Sequence, residues 1–427
     1  MLKRSFIGLT KPWIKYEVLG KSPQEPVNVP DAEEAILFLE GSYQYLNEIQ
    51  LKKGQEVKTG QRLYLKEGDT AFTLSTVTGT ISSLSQFNGD FGRCYTAVSI
   101  EISQNEEWDA AFEAVRGDLS LQTASSFLQG LPGDLPFHLL TDPREPVHTV
   151  IITGMDSDLL VTTHQHVVLT AIDRLSRGIQ VLKKITGIQN VILAVSREFI
   201  QGYGHIGATV KFVDTDYPSA HPVLLSNALL GRVIPAGKTC EDIGVCCMNA
   251  EAVVSLGDAY ETGRIPVNKL LTVVGKDGRS VLVSARVGTP IGQLFKALDM
   301  NIKTGDRIIS GGPMTGSAIY SEDYPVQPGT DALLVQDGGT IPLYSDYPCI
   351  NCGDCIRICP VKVPVNMMIR FLEAGKYQEA VDMYDLNSCI ECGLCTFVCV
   401  ARIPIFQYIK LAKHELALKQ AAEAANG

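Results

Sequence analysis

A chain of 427 residues, 45% hydrophobic and 20% charged, is long enough for three or four separate cores and has the balance of a soluble globular protein. Its formal charge of −10 argues against nucleic acid as a partner. The first residues carry Lys3 and Arg4 but no long apolar stretch, so no signal peptide is expected, and no window approaches the ~18 consecutive apolar residues of a membrane span.

Residues 1–104 read as β structure. Short β-prone runs, Glu34–Leu39, Tyr43–Leu51, Gln61–Lys66, Ala71–Val77, Thr80–Ser85 and Tyr95–Ile102, alternate with glycine turns. The segment Leu51-Lys-Lys-Gly54-Gln-Glu-Val57-Lys-Thr-Gly60-Gln-Arg-Leu63, followed by Val77-Thr-Gly79-Thr-Ile81, resembles a lipoyl- or biotinyl-type barrel-sandwich module. The tip that would carry a prosthetic group is Lys66-Glu-Gly68-Asp-Thr, without flanking methionines. A scaffold module is therefore expected rather than a lipoylated arm. Lys52, Lys53 and Lys58 read as a solvated hairpin rather than a docking patch.

Residues 105–265 read as α/β. Strands are expected at His148–Ile152, Val191–Val195 and Thr209–Val213. Helical periodicity runs from Val167 through Ile185, and helices are expected at Val223–Leu230 and Ala250–Thr262, the last stopped by Gly263. Strands alternating with helices imply parallel βαβ units. Residues 266–335 read as a β-grasp unit. It has a hairpin of Leu270–Val274 and Ser280–Ser284, a helix started by Pro290, and strands Arg307–Ser310 and Ala332–Val335 around Gly311-Gly-Pro-Met314-Thr-Gly316.

Residues 336–427 hold eight of the twelve cysteines in two matching runs. These are Cys349-x2-Cys352-x2-Cys355-x3-Cys359, followed by Pro360, and Cys389-x2-Cys392-x2-Cys395-x3-Cys399, followed by Val400. Thiolates at this spacing hold cubane iron–sulfur clusters, and in two-cluster ferredoxins the fourth Cys of each run ligates the other run's cluster. The expectation is one [4Fe–4S] cluster on Cys349, Cys352, Cys355 and Cys399, and a second on Cys389, Cys392, Cys395 and Cys359. Zinc would take four ligands without the third Cys of each run, and a chain with this much core does not need disulfide staples. Gly353 and Gly393 fit loops whose backbone comes close to a cluster. Between the runs Val365–Met383 has helical spacing, and Ile405–Ala424 reads as an amphipathic helix with Ile409, Leu411, Ala412 and Leu416 inward. Cys94, Cys240, Cys246 and Cys247 read as free buried thiols, which with the clusters points to a reducing, cytoplasmic compartment.

The four modules in this order resemble the C subunit of the Rnf complex. They also resemble its relative, the A subunit of the sodium-pumping NADH:quinone reductase (Nqr), both being related to the flavin-bearing subunit of respiratory complex I. The segment Asn387-Ser-Cys389-Ile-Glu-Cys392-Gly-Leu-Cys395-Thr-Phe-Val-Cys399, with Ile403-Pro404 and Gln407-Tyr408, looks like the Rnf C dicluster region, which the Nqr A subunit lacks. The resemblance implies an α+β multidomain fold: a barrel-sandwich (lipoyl-like) domain, a Rossmann-like α/β domain, a β-grasp (SLBB-like) domain and a helical two-[4Fe–4S] ferredoxin-like domain. It implies an electron-transfer subunit, peripheral at the inner face of the cell membrane, between a soluble donor or acceptor (ferredoxin, flavoprotein or NADH) and integral-membrane subunits.

Two departures bear on cofactors. Rnf C binds FMN and NADH through a loop of the form G-x-G-G-A-G-F-P, whose amides hold phosphate. The matching stretch here, Ser126-Phe-Leu-Gln-Gly130-Leu-Pro-Gly133-Asp-Leu-Pro-Phe137, keeps two glycines and adds Asp134. The following Gly154-Met-Asp156-Ser-Asp158 looks more like the Nqr A version. FMN is therefore disfavoured. The alternatives are a flavin-bearing NADH dehydrogenase subunit and a quinone-binding or anchoring scaffold. Among other candidates, His164-Gln-His166 reads as a helix start with solvated histidines, Asp156 and Asp158 as N-caps, His221-Pro222 as a turn entering a helix, and Gly311–Gly316 as a tight turn rather than an anion nest.

Overall fold

The computed structural model describes residues 14–20, 23–43, 49–89, 92–199, 206–341, 344 and 347–426, with side chains through 423. The first residues of the chain and most of the Tyr43–Leu51 run lie outside that set. The described chain begins across the α/β unit, where Tyr16 N donates to Thr215 O (2.9 Å). It then reaches β1 (Val27–Asn28), which joins a sheet formed much later in the chain.

The first module is a sheet in the order β2-β7-β6-β3 with a separate ribbon β4-β5. Its strands are β2 (Glu34–Glu40), β3 (Glu56–Val57), β4 (Arg62–Leu63), β5 (Thr73–Leu74), β6 (Gly79–Asn88) and β7 (Cys94–Ile102). Alternation puts Ala35, Leu37 and Leu39 inward against Val57, Leu63, Ile81, Val98 and Ile100. The tip at Lys66–Asp69 and the side chains of Lys52, Lys53 and Lys58 are exposed, Lys58 pairing with Glu107 at 3.0 Å.

Three short helices, α1 (Ala111–Val115), α2 (Leu121–Phe127) and α3 (Phe137–Thr141), lead into the α/β unit. That unit comprises β8 (Thr149–Thr153), α4 (Thr163–Thr170), α5 (Ile172–Thr186), β9 (Asn190–Ser196), β10 (Thr209–Val213), α6 (Pro222–Leu230), β11 (Val245–Asn249) and α7 (Ala250–Thr262). The sheet is parallel, in the order β10-β9-β8-β11. The periodic stretch from Val167 to Ile185 is two helices, not one, with the break at Ala171. β11 is a strand that periodicity missed: Val245-Cys-Cys-Met-Asn is a short, doubly covered run without alternation. Of the four cysteines outside the runs, Cys240 and Cys246 are buried but Cys94 and Cys247, expected buried, are only half-buried. Helices α5 and α7 touch through glycine, since a Cβ on Gly178 would lie under 3.0 Å from the backbone of Val253. α7 ends at Gly263, which is left-handed at φ 71°.

The next sheet has the order β1-β13-β12-β16-β14-β15, from β12 (Asn268–Val274), β13 (Ser280–Arg286), β14 (Arg307–Ser310), β15 (Ser317–Ile319) and β16 (Ala332–Gln336). Helix α8 (Ile291–Ala297) buries Ile291, Leu294 and Phe295 against it. The C-terminal unit is α9 (Asp354–Ile358), α10 (Val365–Glu373), α11 (Tyr377–Tyr384), α12 (Leu394–Phe397) and α13 (Ile405–Asn426). The Val365–Met383 stretch is interrupted at Gly375, whose φ of 68° ends the first helix and lets the second fold back. On α13, Ile405, Ile409 and Ala412 form the buried stripe, and Leu411, expected inward, falls off it and is exposed.

Candidate metal centres

The two cysteine runs fold as copies of one loop. In each, the third Cys sits on a one-turn helix, Cys355 on α9 and Cys395 on α12, and a left-handed glycine precedes that helix, Gly353 at φ 76° and Gly393 at φ 73°. The repetition extends to non-glycine positions. Asn351 and Glu391 stand at φ 57° and 54°, and Lys362 and Arg402 at 61° and 54°, each pair forty residues apart. Left-handed backbone costs a side-chain-bearing residue about 1–2 kcal/mol, so its recurrence at matched places indicates that the loop shape is required.

The loops close two cavities. One is lined by the sulfurs' residues Cys349, Cys352, Cys355 and Cys399, with Ile350, Ile369 and Ile403 around them. The other is lined by Cys359, Cys389, Cys392 and Cys395, with Val365, Leu394 and Phe406. Each cavity thus gathers three cysteines of one run and the last cysteine of the other. None of the twelve cysteines is in a disulfide. Burial, then the neighbouring sulfurs, pushes the Cys355 thiol up to about 12, and burial likewise lifts Cys392 to about 12 and raises Cys389 and Cys395. Four sulfurs in an apolar pocket resist ionising unless a cation shares the pocket, and iron supplies that charge. The donor set therefore fits a [4Fe–4S] cluster in each cavity. Cys352 is exposed whereas Cys392 and Cys395 are buried, so the first cavity lies nearer solvent.

The second loop is fastened to the rest of the molecule. A Cβ on Gly393 would lie under 3.0 Å from the Met314 carbonyl, so only glycine lets the Gly311–Gly316 turn sit there. That turn is held in turn by Asp158, which accepts from Met314 N (3.1 Å), Thr315 N (2.8 Å) and Thr315 Oγ1 (2.7 Å). Asp158 is thus not a helix N-cap as expected, and the amides of the turn are filled by the chain's own carboxylate. Asp156 does serve a helix start, accepting from His164 N at 2.8 Å. Tyr217 donates to the Cys392 carbonyl (2.8 Å), and Lys413 Nζ to the Cys389 carbonyl and to Glu391 Oε1 (both 2.7 Å). His221 opens α6 as a turn into a helix, its Nδ1 accepting from Val223 N at 3.3 Å.

His164-Gln-His166 does open helix α4, but the solvation expected of its histidines is overturned: both side chains are buried. His164 Nε2 lies 2.9 Å from Asp331 Oδ2, a partner 167 residues away that no local pattern announces. Asp331 also receives Lys269 Nζ at 2.9 Å, and Lys269 is bound as well to Glu251 and to Leu270 O (2.7 Å). His164, Glu251 and Asp331 have the spacing of a metal triad, but the Lys269 ammonium already provides the cation there.

Two family models match parts of the chain. Residues 126–258 match the family model of the Nuo51 FMN-binding domain, and residues 348–404 that of the 4Fe-4S dicluster domain. The chain is 27% identical over 387 residues to the C subunit of the proton-translocating ferredoxin:NAD(+) oxidoreductase complex of Clostridium ljungdahlii, covering 86% of this chain and 84% of the relative. It is 27% identical over 384 residues to the C subunit of the ion-translocating oxidoreductase complex of Pseudomonas aeruginosa, covering 85% of this chain but only 50% of that longer protein. It is 24% identical over 342 residues to the C subunit of the Na(+)-translocating ferredoxin:NAD(+) oxidoreductase complex of Acetobacterium woodii, covering 74% and 76%. The fold and the paired cavities define an iron–sulfur protein of the electron-transfer class, mixed α/β and multidomain. Within that class the chain is a homologue of the C subunits of Rnf-type complexes. The likeness of its middle portion to the Nqr A subunit is not carried by these relatives.

Proposed function

We propose that this chain is the iron–sulfur relay subunit of an Rnf-type membrane complex. Cys349, Cys352, Cys355 and Cys399 hold one [4Fe–4S] cluster, and Cys359, Cys389, Cys392 and Cys395 hold the other. The observation that carries the reading is the crosswise gathering of the eight cysteines into two cavities. Bound there, the clusters supply one-electron redox chemistry at potentials that burial and hydrogen bonding tune. The chain's own residues do the rest. Ile369, Ile403, Phe406 and Ile409 keep water from the sulfurs, Gly353 and Gly393 allow the backbone turn, and Tyr217 and Lys413 hold the second loop by its carbonyls. Lys413 also pairs with Glu391 beside Cys389, so its charge is offset and its part is to hold the loop.

The preceding modules, 1–104 (barrel-sandwich), 105–265 (α/β) and 266–335 (β-grasp), form a frame that presents the 336–427 cluster unit to partners. Among the described residues no helix is long and apolar enough to cross a membrane. Membrane attachment at the cytoplasmic face therefore comes through integral-membrane subunits, and electrons are exchanged with a soluble ferredoxin, flavoprotein or NADH-linked partner. Anaerobic purification should give about eight iron and eight acid-labile sulfide per chain. Four or fewer of each, or zinc in their place, contradicts the assignment. The rival reading, NADH oxidation at a flavin in this chain, is raised by the family model over 126–258 and bears on the α/β crevice.

A further inference from the structure

Open α/β sheets bind ligands beyond the carboxyl ends of the strands, at the point where strand order reverses. Here that point lies between β8 and β11, because the chain steps from β8 outward through β9 and β10 and then returns to the other side of β8. A flavin or nicotinamide nucleotide held there needs free helix-terminal amides for its phosphate.

One first-turn amide of each flanking helix is taken by the chain's own side chains. The N–H of Ala252, in the first turn of α7, is taken by Asn249 Oδ1 at 2.8 Å, and the N–H of His164, at the start of α4, by Asp156 at 2.8 Å. Asn249 Nδ2 donates in addition to Gly133 O (2.8 Å), seating the degenerate glycine loop directly on α7. A Cβ on Gly133 would lie under 3.0 Å from Ala252 N, so no layer of ligand separates the two. The side chains at the strand ends are acidic groups whose counter-charges, Lys269 and His164, are already engaged. The buried carboxylates Asp156 and Glu251 stand at the two strand ends, with Asp331 beside them. The buried cation there, Lys269, is held by Glu251, Asp331 and the Leu270 carbonyl.

We propose that this crevice is closed to flavin and nicotinamide nucleotides and has been converted into a structural joint. In it Lys269 on β12 and Asp331 just before β16 fasten the β-grasp sheet to Glu251 of α7 and His164 of α4. Thr163 Oγ1 completes the joint by donating to Asp331 O at 2.8 Å, and Leu270 N by donating to Glu251 Oε1 at 2.8 Å. The residues of the FMN-type domain thus do not fit FMN. Hydride chemistry then belongs to a partner, and electrons enter and leave this chain only at its cysteine sites.

The test uses the full chain with its clusters, kept anaerobic. FMN, and separately NADH, are titrated and followed by flavin fluorescence and by calorimetry. No saturable binding is expected up to about 1 mM. A site of about 1 μM filled at one FMN per chain overturns the proposal. The joint itself is tested with Lys269→Met, which strands Glu251 without its counter-charge. A fall in thermal midpoint of roughly 5 °C or more is expected, partly recovered in Glu251→Gln/Lys269→Met. A Lys269→Met midpoint equal to the parent's overturns the fastening role. Iron content, which tests the cluster assignment, enters neither result.

Discussion

Gly353 and Gly393 occupy matched places in the two cysteine loops yet meet different surroundings, so alanine at each separates two effects. Both glycines are left-handed, at φ 76° and 73°, and each alanine variant incurs about 1–2 kcal/mol for that conformation. At Gly353 the new Cβ meets only Arg357 Nη1, at 3.3 Å, the free end of a flexible side chain. At Gly393 it meets the Met314 carbonyl at under 3.0 Å, and that backbone is pinned by Asp158 through Met314 N and Thr315 N. Restoring ordinary contact of about 3.5 Å moves the turn by on the order of 1 Å, which adds about 1–3 kcal/mol. Gly393→Ala should therefore be the less stable variant by about 1–3 kcal/mol, a gap of on the order of 5 °C in the unfolding of the cluster unit read from its visible absorbance. Gly353→Ala should keep its full iron content, whereas Gly393→Ala should lose iron from the second site first. Equal midpoints and equal iron for the two variants would refute the contact between the Gly311–Gly316 turn and the second loop as the cause.

Further outcomes follow from the same geometry. Tyr217→Phe removes the hydroxyl that donates to the Cys392 carbonyl and should cost about 1 kcal/mol, with the second cluster lost to a chelator faster than in the parent and the first at the parent's rate; an unchanged second-site rate contradicts the role given to Tyr217. Stability should also depend on pH through the joint. Burial pushes the Asp331 carboxyl up, but His164 and Lys269 outweigh it and hold Asp331 well below its ordinary 3.8, so its contribution is present above that value and is lost as pH falls below it. Burial lowers His164, yet Asp331 outweighs burial and raises it above 6.5, so the His164 contribution is full below 6.5 and is lost as pH rises through the raised value. Urea midpoints followed by circular dichroism should therefore fall on the alkaline side, and His164→Gln should flatten that limb. A variant that keeps the parent's alkaline slope contradicts the assignment to His164.

The features legible in the sequence are those with local causes. Cluster ligation demands cysteines at fixed short spacing, so the two matching loops could be read from positions 349–399 alone, as could the α7 stop at Gly263. What escaped was set by distant partners. His164 looks like a solvated helix start until Asp331 arrives from the turn before β16, and Asp158 looks like an N-cap until the Gly311–Gly316 turn docks on it. β11 was missed because a strand covered on both faces shows no alternation, and the break at Gly375 was masked by apolar spacing that continues in phase on either side.

The crosswise sharing of ligands is the central claim, and anaerobic alkylation of Cys399→Ala with peptide mass spectrometry tests it most directly. Although the substitution lies in the second run, Cys349, Cys352 and Cys355 should become reactive while Cys359, Cys389, Cys392 and Cys395 stay protected. Exposure of Cys389, Cys392 and Cys395 instead, with the first run protected, would show that each run keeps its own cluster and would contradict the account.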